Sequence, residues 1–150
     1  MKAPNQSAAV IFCAILASLS VDAQESCSLT VRKANGASVG RIDSNGYIRN
    51  ASGASVGRFD KGIVRDKSGA TIGRVDANGT IRNRSGAAIG RVDAKGRLRN
   101  SSGATVGRID ADGTIRNSSG ASRGRFDGYT PACRNIAAAY LFFFEHLHKL

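Results

Sequence analysis

The sequence predicts an all-β fold built as a short-strand repeat meander. About twelve strands in six units of about 17 residues close, or nearly close, around a pseudo-symmetry axis, under a C-terminal apolar helical or extended cap. Three observations carry this. A Gly-Arg pair recurs with fixed phase at Gly40-Arg41, Gly57-Arg58, Gly73-Arg74, Gly90-Arg91, Gly107-Arg108 and Gly124-Arg125. Each unit contains two four-residue turn signals that end in Gly. Two cysteines, Cys27 and Cys133, flank the repeats.

The first element is an export signal. Lys2 gives a positive start, Ala8 to Leu19 an apolar stretch, and Val21-Asp22-Ala23 the small-residue spacing of a cleavage site, so residues 1–23 are read as a signal peptide. Their removal takes Lys2 and Asp22 together, and the net charge stays at +11. The expected location is the secreted, periplasmic or cell-surface space. The mature chain then keeps two cysteines, which in an exported protein read as one disulfide, Cys27–Cys133.

The repeat domain is placed at residues 24–128. Each unit has two halves, as in Val39-Gly40-Arg41-Ile42-Asp43 and Tyr47-Ile48-Arg49-Asn50. Both halves are rich in β-branched residues, are bounded by turn residues and are too short for a helix. The turns are Asp43-Ser44-Asn45-Gly46 and Asn50-Ala51-Ser52-Gly53, with their counterparts in later units. In each, the first-position Asp or Asn is expected to cap a type I turn, and the Gly to take positive φ in a hairpin bulge. One unit is a residue short, at Asp60-Lys61-Gly62. Val39 and Ile42 have opposite strand parity. Either Gly40 sits in a bulge that resets the parity, or both faces of the strand are partly covered.

The units can form an open stack or a ring. Six stacked coils would hold the ends about 24 Å apart at roughly 4.8 Å per step, whereas a disulfide needs Cα atoms within about 7 Å. Six extended residues after Asp127 could just reach back, at about 3.4 Å each, but a ring brings the ends together without such a stretch and leaves no open strand edge, so closure is favoured. The bridge would then stabilise the fold by about 4–5 kcal/mol in the chain-entropy account.

The last segment, residues 129–150, is read as a Phe-rich cap. Thr130-Pro131 marks a helix start, with a helix expected from Ala132 to Lys149. Its apolar run, Ile136 to Phe144, is too short to span a bilayer. It is expected to cover or plug the β assembly; the alternative is contact with a membrane surface or partner.

The apolar-Gly-Arg-apolar-Asp-x-x-Gly-x-Ile-Arg-Asn unit, followed by Ala137-Ala138-Ala139-Tyr140-Leu141-Phe142-Phe143-Phe144, resembles the bacterial five-fold beta-flower family known from Bacteroidetes. The resemblance spans nearly all of the mature chain. It implies short β units around a pseudo-symmetry axis and implies no activity. Six units stand here against the five of the family name, so five petals with one unit split or peripheral, or six petals, both fit.

No catalytic residues, cofactor or metal are expected. His146 and His148 stand two apart on a predicted helix and face different ways. Asp110-Ala111-Asp112-Gly113 resembles the start of a calcium loop, yet the equivalent third position is Lys95 one unit earlier, where it would repel a cation. The arginines are what folding does not explain. One ladder is Arg41, Arg58, Arg74, Arg91, Arg108 and Arg125, each followed two residues later by Asp. The Asp lies on the same strand face, so many of these charges can pair laterally. The other ladder is Arg32, Arg49, Arg65, Arg82, Arg99 and Arg116, with no carboxylate built in. This second ladder is the candidate polyanion-binding site. The expected function is an exported, non-enzymatic structural or interaction protein, or alternatively a binding module for acidic glycans or other polyanions. The expected partner is an anionic polysaccharide or cell-envelope component. Nucleic acid is not expected, because interleaved aromatics are missing from the ladder apart from Tyr47. No transmembrane span is expected in the mature chain.

Overall fold

A computed structural model describes residues 26–145. The signal peptide read at residues 1–23, and His146, His148 and Lys149, lie outside the described residues. Twelve antiparallel strands follow one another as a meander: β1 (Leu29–Lys33), β2 (Ser38–Ile42), β3 (Tyr47–Asn50), β4 (Ser55–Asp60), β5 (Ile63–Asp66), β6 (Thr71–Val75), β7 (Thr80–Asn83), β8 (Ala88–Val92), β9 (Arg97–Asn100), β10 (Thr105–Ile109), β11 (Thr114–Asn117) and β12 (Ser122–Asp127). Strand β12 pairs with β1, through Thr30 opposite Asp127 and Val31 opposite Phe126, and this closes the barrel. Among the described residues the closure therefore takes six two-stranded units. The ends meet as the ring reading requires, and Cys27 and Cys133 are bonded with Cα atoms 5.8 Å apart.

The two kinds of turn occupy opposite ends of the barrel. Both are hairpins of the expected form: Gly46 N–H bonds to the Asp43 carbonyl at 2.9 Å and Gly53 N–H to the Asn50 carbonyl at 3.0 Å, with φ of 90° at both glycines. The side-chain capping differs from the expectation. Asn50 does cap its turn, accepting from the Ser52 and Ala54 amides at 3.0 and 3.1 Å. Asp43, Asp76 and Asp110 do not; the third turn residue caps instead, as Asn78 Oδ1 accepts from Thr80 N–H at 3.0 Å. Those aspartates are thereby free to bond elsewhere. The short unit closes with a two-residue turn in which Lys61 (φ 51°) and Gly62 (φ 87°) are both left-handed, the signature of type I′.

The parity conflict resolves through a bulge that recurs in alternate hairpins. Ile48 faces Gly57 and Arg49 faces Ser55, so Val56 is the extra residue. The bulge turns Val39, Val56, Ile72, Ile89 and Val106 toward the core as well as Ile42 and its equivalents. The bulge reading holds, and the outer face of the strand stays open, with Arg41 exposed.

The tail fills the barrel. A 3-10 turn (Pro131–Cys133) leads into helix α1 (Arg134–Phe143). The helix starts later and ends earlier than the expected span of Ala132 to Lys149; Phe144 is its C-cap, with its N–H bonded to the Tyr140 carbonyl at 2.9 Å. The Thr130 side chain makes no capping bond, and its carbonyl accepts from the Cys133 N–H at 2.8 Å. The disulfide fixes the start of α1 at the Asp-turn end, and the helix runs inward from there. Ala137, Ala138 and Ala139 are fully buried and consecutive, so wall surrounds α1 on every side. A helix enclosed all round has no need of a polar stripe, which explains the unbroken apolar run. Side-chain sizes alternate between helix and wall. The alanines lie within a wall whose inward residues include Ile48, Val64, Ile81 and Leu98. Beyond them, the rings of Tyr140, Phe142, Phe143 and Phe144 meet Gly40, Gly90, Gly73 and Gly57, respectively. A Cβ on Gly73 would stand 2.3 Å from Phe143 Cζ. These wall glycines supply space for aromatic rings, a role beyond shaping the bulge.

Candidate functional site

Both arginine ladders project from the outer face, and the closed register interleaves them. Arg41 is directly opposite Arg49, Arg58 opposite Arg65, Arg74 opposite Arg82, Arg91 opposite Arg99, Arg108 opposite Arg116, and Arg125 opposite Arg32. Each pair extends across a further strand on either side. Tyr47-Arg58-Arg65-Thr71 and Thr80-Arg91-Arg99-Thr105 are two such rows. The row Arg97-Arg108-Arg116 places three guanidiniums on consecutive strands, about 5 Å apart at their Cα atoms. The six arginines predicted as the binding ladder therefore do not neighbour one another. Each neighbours a member of the other ladder.

Like charges directly opposite destabilise a sheet, and the turn aspartates relieve this. Asp43 accepts from Arg41 Nε at 2.9 Å and from Arg49 Nε at 2.7 Å. Asp76 bridges Arg74 and Arg82 at 3.1 and 2.8 Å, and Asp110 bridges Arg108 and Arg116, both at 2.7 Å. Asp127 does the same across the seam, with Arg125 at 2.6 Å and with Arg32. The second ladder was expected to lack carboxylates; the structure corrects this, because Asp reaches across the hairpin to it.

The hydrogen bond from Arg49 holds the Asp43 carboxyl below its ordinary value, and Arg82 acts likewise on Asp76. Arg32, then Arg125, lower Asp127. At Asp110 desolvation opposes the shift, but bonds from Arg116 and Arg108 prevail.

The ladders differ in what they leave free. Second-ladder arginines also donate through Nη1 to a turn carbonyl, Arg49 to Gly53 at 3.1 Å and Arg82 to Gly86 at 3.0 Å. Their side chains are 29% and 32% exposed. The first-ladder residues Arg41, Arg74, Arg108 and Arg125 use Nε for Asp, and their side chains are 52–62% exposed. Two rows break the pattern. Arg58 lies over the Tyr47 ring at 4.9 Å, and its Nε has no partner. Arg91 is exposed, since Asp93 bonds instead to Arg97 at 2.9 Å and lies 3.8 Å from Arg99.

Where the last unit meets the first, a groove of about 580 Å³ is lined by Arg32, Lys33, Arg125 and Asp127. The outer face thus carries forked donors in register, the geometry that takes sulfate, phosphate or carboxylate groups by paired bonds. The importance of the first ladder and of Arg97 was not read from sequence. Its signal is Arg97 itself, at the position that Tyr47, Thr80 and Thr114 fill elsewhere.

Leu141 is buried, and the three Phe rings beyond it pack against the barrel core. Among the described residues no helix is long and apolar enough to cross a membrane. A family model described as 5-fold beta-flower protein matches residues 28–145. No curated protein and no solved structure matches the chain.

Proposed function

The chain belongs to the 5-fold beta-flower family, a family described by its fold, and from that premise we propose an exported, non-enzymatic interaction module that binds acidic glycans or similar polyanions. The observation that carries this reading is the set of arginine rows, whose first-ladder guanidiniums keep their outer nitrogens toward solvent. The second ladder supports them from below: it shares the Asp bridges and ties each hairpin to its own turn. The net charge of +11 draws a polyanion to the surface, and the rows offer it bidentate contacts at regular spacing. The Cys27–Cys133 bond suits an oxidising compartment outside the cytoplasm.

Heparin chromatography of the mature, oxidised protein tests this. Replacing Arg41, Arg74 and Arg108 with Gln should lower the eluting salt concentration more than replacing Lys67, Arg84 and Lys95 with Gln. The second set removes the same charge from exposed turns outside the rows. Equal elution of the two triple variants would reduce the interaction to net charge and overturn the proposal. Replacing Arg49, Arg82 and Arg116 with Gln should lower thermal stability along with retention, because those side chains also hold turns.

A further inference from the structure

The repeat breaks its own pattern most sharply in the short unit, and a cleft opens beside that break. It lies at the Asp-turn end, next to the disulfide, with a volume of about 590 Å³. That is within the usual size of small-molecule sites, roughly 300–1,000 Å³. Phe59, Val75 and Ile136 give it apolar walls, and Asp60, Lys61 and Asn135 give it polar ones.

Each polar group is unspent. In four other units the equivalent Asp clamps two arginines, but the two-residue turn puts Asp60 into the ladder opposite Ile63. Arg58, its natural partner, has gone to the Tyr47 ring instead. Lys61 is the one non-glycine residue with positive φ among the described residues, so this turn is strained in a way its counterparts are not. Among the described residues no ion pair joins Asp60 and Lys61, and neither has another charged partner. Among the described residues the Asn135 side chain has no hydrogen-bond partner, and its buried Oδ1 is unsatisfied. With nothing holding it, the amide can turn to present a donor or an acceptor.

We propose that this cleft is a binding site for a small zwitterion of the amino-acid type with an apolar side chain. The ligand ammonium pairs with Asp60 and its carboxylate with Lys61. The apolar side chain lies against Phe59, Val75 and Ile136, and Asn135 bonds the polar end. A ligand with only one of the two charges leaves the opposite group unpaired, which is the basis of selectivity.

Proton–nitrogen NMR of the oxidised mature protein, titrated with L-leucine, isopentylamine or 4-methylpentanoate, tests the proposal. L-leucine should give saturable shifts at the Gly46 and Gly62 amides and the Asn135 side-chain amide. The two single-charge analogues should bind at least about tenfold more weakly, the factor that one lost charged hydrogen bond implies. Asp60→Asn and Lys61→Gln should each weaken L-leucine by a similar factor while leaving the remaining spectrum in place. No saturable shift up to about 10 mM, a binding energy below roughly 3 kcal/mol, would overturn it. So would equal affinity for the amine or the acid alone, or shifts spread over the arginine face.

Discussion

One lysine shows how finely the turn chemistry controls the charges above it. Asn78 and Asp112 cap their turns by accepting from the amide two residues on, both at 3.0 Å. Lys95 cannot accept, so Asp93 takes that work, bonding the Lys95 and Arg97 amides at 3.0 Å each. Asp93 is therefore drawn away from Arg91, and Arg99 is left at 3.8 Å. Its carboxyl still lies below its ordinary value; desolvation opposes this, and the Arg97 and Lys95 contacts outweigh it. Lys95→Asn should restore the acceptor and release Asp93 to bridge Arg91 and Arg99. The expected gain is about 0.2–1 kcal/mol, the range of a part-exposed ion pair, read as a higher urea midpoint. Lys95→Ala supplies no acceptor and should give no such gain. A gain from both variants would assign the effect to lost positive charge instead.

At the scale of elements, helix and wall fit through exchange of bulk, and the repeat contains its own control. Gly73 and Gly107 are equivalent positions. A Cβ on either meets a backbone carbonyl, Arg82 O at 2.5 Å or Arg116 O at 2.6 Å, but only the Cβ on Gly73 also meets an aromatic ring. Gly73→Ala should therefore cost about 1–3 kcal/mol more than Gly107→Ala, the usual price of overpacking. In a Phe143→Ala background that difference should vanish, and its persistence would show that the ring is not what the glycine accommodates. The strands, both turns and the disulfide were legible in sequence because they depend on local residue type or on spacing along the chain. The role of Gly73 was not, since its partner Phe143 lies 70 residues away and meets it only once the ring has closed. The bridging role of Asp76 was hidden for a related reason. Its bond to Arg82 depends on hairpin register, and on Asn78 having taken over the cap. For the candidate site, sequence located the arginines and their two ladders but not which of them keep free donors, because the carbonyls of Gly53 and Gly86 that occupy the second ladder carry no side-chain signature.

At the scale of the whole molecule, stability should be lost at both ends of the pH range for different reasons. Asp43, Asp76, Asp110 and Asp127 have folded values below the ordinary 3.8. A lowered folded value means that the unfolded chain takes up protons first. The stabilisation is complete above the unfolded value and fades as pH falls through about 3.8 toward the lower folded values. Protonation also removes the bridges that keep facing arginines apart, so several rows should weaken together. The alkaline limb belongs to the plug. Tyr140 sits against Gly40 inside the barrel, and its hydroxyl donates to Glu145 at 3.2 Å. Desolvation, then the Glu145 charge and hydrogen bond, raise it well above the ordinary 10.0. Here the unfolded chain ionises first, so stability is complete below about 10 and is lost as pH rises past it. Tyr129, raised mainly by desolvation, adds to the same limb. Urea midpoints of the oxidised protein should therefore be nearly level between roughly pH 5 and 9 and fall on both sides. Replacing Asp43, Asp76 and Asp110 with Asn should lower the plateau and flatten the acid limb, leaving the alkaline limb in place. Tyr140→Phe should flatten the alkaline limb alone. An acid limb of undiminished slope in the triple variant would mean that carboxylates elsewhere, and not the arginine bridges, govern acid unfolding.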